Sequence, residues 1–89
     1  MSFSLFVPAE AVPLIGTRIA DDNYDTLVSK LSDNTMLVAY YIDRYGCRIA
    51  VHVQSKSEFN VIKVNGLVHK ITQLSYYVVP LNQPVRSIS

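Results

Sequence analysis

The sequence predicts an α+β domain: one short helix packed on a mainly antiparallel sheet of five or six strands. Three observations lead there. Hydrophobic residues make up 49% of the 89 and charged residues only 17%, a balance that a disordered chain does not show. One segment, around residues 22–32, carries helical spacing. Much of the rest alternates apolar with polar residues, or is rich in Val, Ile, Tyr and Thr, as half-buried strands are. A chain of 89 residues supports one modest core. That core is expected within a compact domain over residues 1–80, followed by an extended tail over 81–89.

The elements follow in order. Ser2 to Val7 alternates Phe3, Leu5 and Val7 with Ser2, Ser4 and Phe6, a strand that Pro8 ends or places at a sheet edge. Residues 9–17 are ambiguous, because Pro13 and Gly16 interrupt the apolar Val12, Leu14 and Ile15. No proline lies between Gly16 and Val79, so regular structure is expected there. In the helix, Asp21 or Asp22 caps the start and Asp25 sits near the positive dipole end. Tyr24, Leu27, Val28 and Leu31 then fall at i, i+3, i+4 and i+7. Lys30 lies near the end, and Ser32-Asp33-Asn34 stops the helix.

Strands are expected next. Residues 35–42 and 47–53 form a hairpin around Asp43-Arg44-Tyr45-Gly46. A four-residue loop pairs Ile42 with Cys47, Tyr40 with Ile49, Val38 with Val51 and Met36 with Val53, all apolar on one face. A three-residue loop pairs Ile42 with Arg48 and Val38 with His52 instead. Face chemistry favours the first register. It would bury the helix residues Tyr24, Leu27, Val28 and Leu31 against that face. Asn65-Gly66 between two apolar runs predicts a second hairpin, with 59–64 opposite 67–71 and Ile62 facing His69. Residues 74–79 form a last strand that Pro80 terminates.

The chemistry-bearing residues are few. The sequence holds no Gly-x-Ser-x-Gly, no phosphate loop and no dinucleotide fingerprint, so no catalytic residue and no cofactor is assigned and the protein is read as not an enzyme. His52 and His69 lie on different hairpins, and Cys47 is expected to face the core, so no metal site is assigned. The single cysteine allows no intrachain disulfide, and no apolar run reaches the roughly 18–20 residues of a membrane span. With a start that lacks a secretory signal, these features give the expectation of a complete, cytoplasmic small gene product.

Two binding readings remain. The net charge is only +1, which argues against a general polyanion coat. Tyr41, Arg44, Tyr45, Arg48 and His52 nevertheless gather aromatic and basic groups on one hairpin, the ingredients of nucleic-acid or nucleotide binding. The favoured reading is protein association. The first hairpin has apolar content on both faces, and an antiparallel sheet in a monomer usually leaves one face polar. The surplus face, with Leu37, Ala39, Tyr41 and Ala50 at its centre and Tyr76 and Tyr77 extending it, is expected to bind a partner protein or a second copy, most simply as a homodimer. In type, a motif-poor chain of this size resembles the small accessory proteins carried by viruses of bacteria, which often act by binding and blocking a host factor. That resemblance implies an inhibitor or adaptor and transfers no residue.

Overall fold

The computed structural model describes residues 8–20 and 23–80. The expected strand at 2–7, the Asp21 or Asp22 cap and the tail at 81–89 lie outside the described residues. The fold is α+β, with one antiparallel sheet of four strands and a few short helices. A 3-10 turn at Ala9–Ala11 runs into α1 (Val12–Ile15). Then come β1 (Thr17–Ile19), α2 (Tyr24–Val28), β2 (Thr35–Ile42), β3 (Arg48–His52), α3 (Lys56–His69) and β4 (Thr72–Pro80). The strand order is β1-β4-β2-β3, and every neighbouring pair is antiparallel.

The sheet therefore has four strands among the described residues, not five or six. Pro13 does not interrupt structure but opens α1, where its missing N–H costs no hydrogen bond. Gly16 lets the chain turn tightly into β1: a Cβ there would sit 3.0 Å from both the Val12 carbonyl oxygen and Val79 Cγ2.

Helix α2 is shorter than its apolar spacing suggests. Its cap is Asn23, whose Oδ1 accepts the Thr26 amide at 2.8 Å. The last turn tightens, with Lys30 N–H donating to the Leu27 carbonyl and Leu31 N–H to that of Val28, each three residues back.

The largest correction is at 56–69. The expected Asn-Gly hairpin is a helix. Ser55 Oγ accepts the Glu58 amide at 3.2 Å, while Glu58 Oε1 reaches back to the Gln54 amide at 2.7 Å, a capping-box arrangement. Lys70, at φ 57°, closes the helix in the left-handed conformation. Topology explains why a helix is needed. Both β3 and β4 run antiparallel to β2, so they run in the same direction. Parallel strands need a crossover of a dozen or more residues. A 14-residue helix spans about 21 Å and carries the chain back along the sheet.

The register of the first hairpin is also corrected. Val38 pairs with His52, Ala39 with Val51, Tyr40 with Ala50, Tyr41 with Ile49 and Ile42 with Arg48. The loop has three residues, because Gly46 N–H donates to the Asp43 carbonyl and Gly46 then takes φ +84°. That is a turn followed by a left-handed glycine, the standard three-residue hairpin. Cys47 consequently lies exposed at the loop rather than in the core.

The slip turns β2 over relative to the expected packing. Leu37 and Ala39 face α2 and α3, in a core with Leu27, Val53, Phe59, Ile62 and Tyr76. Met36, Val38 and Tyr40 face the opposite side, where Val12, Ile15 and Ala11 cover them together with Val79 and Tyr77. The chain thus supplies its own cover for both sheet faces. Between Tyr40 and Ile42 of β2, partners Ser75 and Thr72 on β4 leave one extra residue, a bulge that contains Gln73 at φ 56°.

Candidate functional site

Helix α3 is held to the sheet by one side. The Phe59 ring packs 5.3 Å from that of Tyr76 and 5.6 Å from that of Tyr24, which ties α3 to β4 and α2. Ile62 is buried beside it, and Gly66 turns the same way, toward Ile71. At 100° per residue, the positions opposite this side are 57, 61, 64 and 68, with 60, 65 and 67 flanking them. Val61 is 55% exposed, Val64 56%, Leu67 85% and Val68 63%. An apolar stripe therefore lies on the solvent side of a helix whose inner side is already seated.

A cleft of about 280 Å³ opens between the first hairpin and the end of α3. The hairpin lines it with Tyr41, Asp43, Arg44 and Tyr45, and α3 with Asn65 and His69. Arg44 Nη2 donates to the Tyr45 hydroxyl at 2.9 Å, and its guanidinium carbon lies 5.0 Å from the Tyr45 ring centroid. The Tyr41 hydroxyl is pushed above its usual pKa, first by burial and then by the nearby Asp43 charge. At neutral pH it is a phenol that can donate a hydrogen bond into the cleft.

The expected partner-binding residues are dispersed by the fold. Leu37, Ala39 and Tyr76 are buried in the chain's own core, which removes the surplus sheet face from which they were inferred. Ala50 and Tyr77 are on the other face, half-buried under the N-terminal helices, with Tyr77 edge-on to Tyr40 at 5.7 Å. Tyr41 lines the cleft. The expected nucleic-acid set is split as well. Tyr41, Arg44 and Tyr45 meet at the cleft, and Arg48 is not among its lining residues. His52 lines a separate cleft of about 290 Å³ with Tyr24, Leu31 and Val53.

The exposed stripe was missed because 59–71 reads equally well as two strands. The signal that could have found it is Ser55-x-x-Glu58 ahead of an apolar run, a helix-start pattern, followed by Val61, Val64 and Val68 at i, i+3 and i+7. Among the described residues no three His, Cys, Asp or Glu side chains gather as metal ligands, and no helix is long and apolar enough to cross a membrane. Compared with protein-family models, with curated proteins and with solved structures, the chain matches none.

Proposed function

We propose that the protein is a non-catalytic binding protein that acts by occupying a protein surface, as an inhibitor or adaptor does, and that it self-associates. The observation that carries this reading is the outer side of α3, where Val61, Val64, Leu67 and Val68 are each more than half exposed. Single exposed apolar residues are ordinary, but a contiguous patch on one helix marks an interaction site. The binding surface is thus α3 rather than the sheet. A pull-down from native cells with the wild-type chain and with Val64→Asp tests it. Retention of a stoichiometric protein by the wild type and its loss in a folded variant is the expected result. Equal retention by both defeats the assignment to α3.

A second reading rests on the cleft, where Tyr41, Arg44 and Tyr45 offer stacking and phosphate-pairing groups for a nucleotide or a single strand. A fluorescence titration with a labelled oligonucleotide at low and high salt discriminates. Salt-sensitive binding that Arg44→Ala removes and Arg48→Ala leaves intact would support it. No binding at low salt eliminates it.

A further inference from the structure

The composition of α3 is unusual for a helix with a free side. Val61, Ile62, Val64 and Val68 are β-branched, and Asn60, Asn65 and Gly66 add further poor helix formers. Helices of this kind persist through packing rather than propensity. Among the described residues, packing is present on the Phe59 and Ile62 side alone. The outer stripe of Val61, Val64, Leu67 and Val68 offers an apolar patch of roughly 400 Å², within the range at which the largest patches on monomers become functional.

We propose that this stripe pairs with the same stripe of a second copy, so that two α3 helices meet about a two-fold axis near Val64. The proposal rests on the reading of α3 as the binding surface and names its occupant. Charge is the first argument. A two-fold axis sets a patch against its own copy, so a charged centre would face like charge. The centre at Val61, Val64 and Val68 is apolar, Ser57 continues it one turn toward the N-terminus without charge, and Asn60 and Asn65 border it uncharged. The cations recur every seven residues along one flank, Lys56, Lys63 and Lys70, bordering Leu67, and Lys63 Nζ sits 4.8 Å from the Phe59 ring centroid on the seated side. Glu58 on the other flank is engaged in the cap. A patch built for an anionic surface would instead carry a strongly basic polar face.

Spacing and area agree. Val61, Val64 and Val68 follow the three-then-four rhythm by which helices interlock side chains along a seam. Two such stripes with their polar borders bury about 1,000 Å² in total, at the lower limit of a specific interface. A reversible dimer with a dissociation constant on the order of micromolar is expected.

Light scattering after size exclusion, over a concentration series of the full chain, tests the pairing. A concentration-dependent dimer is expected, and Val64→Asp should weaken it by about 100-fold or more without changing the far-UV circular dichroism. A trapping variant guards against misfolding. In a Cys47→Ser background, Val64→Cys should oxidise to a covalent dimer, and Leu14→Cys, 83% exposed on α1, should not. A wild type that stays monomeric at high micromolar concentration overturns the pairing, and the dye bis-ANS then separates the two claims. Dye fluorescence that Val64→Asp abolishes leaves α3 as an open docking face for a different protein. Absence of dye binding means that the stripe is not an open apolar face in the monomer, and both claims fall.

Discussion

The Asp43 carboxylate accepts the Cys47 amide at 2.9 Å while it also accepts the Tyr45 amide at 2.8 Å. One side chain thus ties both ends of the hairpin loop, and the Asp43 N–H donates to the Cys47 carbonyl at 2.9 Å to close the ladder. Asp43→Ala removes both side-chain bonds from a partly exposed loop. A loss of about 1–3 kcal/mol in unfolding free energy is expected, measured by urea titration. Asp43→Asn keeps an acceptor oxygen and should retain part of the difference. Equal stability of wild type and Asp43→Ala would show that Gly46 alone sets the loop.

Leu27 is fully buried between α2 and the sheet, whereas its neighbour Val28 is 37% exposed. Leu27→Ala should therefore cost about 2–5 kcal/mol, cavity term included. Val28→Ala should cost well under half of that. Thermal or urea denaturation of the pair checks whether α2 is seated in this rotation, since a helix turned by one residue would reverse the ranking.

Ser55 caps the helix that carries the proposed interface. Ser55→Ala should lower stability by about 0.5–2 kcal/mol, with loss of helical signal at 222 nm before loss of the sheet. Ser55→Asp should restore it, because a carboxylate also accepts the Glu58 amide and suits the positive helix end. Hydrogen exchange at the first turn of α3 reads the effect locally.

Burial lowers the pKa of His52, and the opposing pull of the Glu58 carboxylate is the smaller influence. The folded chain thus prefers the neutral ring. Between the lowered folded value and the ordinary 6.5, the unfolded chain binds more protons, so stability rises with pH across that window. The contribution is complete above 6.5 and is lost as pH falls through the folded value. The urea midpoint of the wild type should fall on acidification in this range, and His52→Gln should flatten that part of the profile. An identical profile for the variant would rule out His52 as the source.

Much of the fold was legible locally. The β-rich run from Thr35 to Ile42, the alternation from Cys47 to Val53, the turn around Gly46, and the helical spacing of Tyr24 and Leu27 each identify an element in the right place. What the linear pattern left open was the face on which each residue lies. Residues 36–42 of β2 are apolar without a break, so a one-residue slip exchanges one buried set for another at little cost in burial. Loop chemistry at Asp43 and Gly46 decides the register instead, and with it whether Leu37 or Val38 faces the helices. Residues 59–68 satisfy a period of two through Phe59 and Val61 and a period of 3.6 through Phe59 and Ile62. Asn65-Gly66 favours a turn when taken alone. The parallel course of β3 and β4, and a seat for Phe59 between Tyr24 and Tyr76, select the helix. The sequence by itself determines the apolar content and the places of α2, β2, β3 and β4. Only tertiary structure decides that Leu37, Ala39 and Tyr76 go inside and Val61, Val64, Leu67 and Val68 stay out, because burial depends on which surfaces meet and not on hydrophobicity alone.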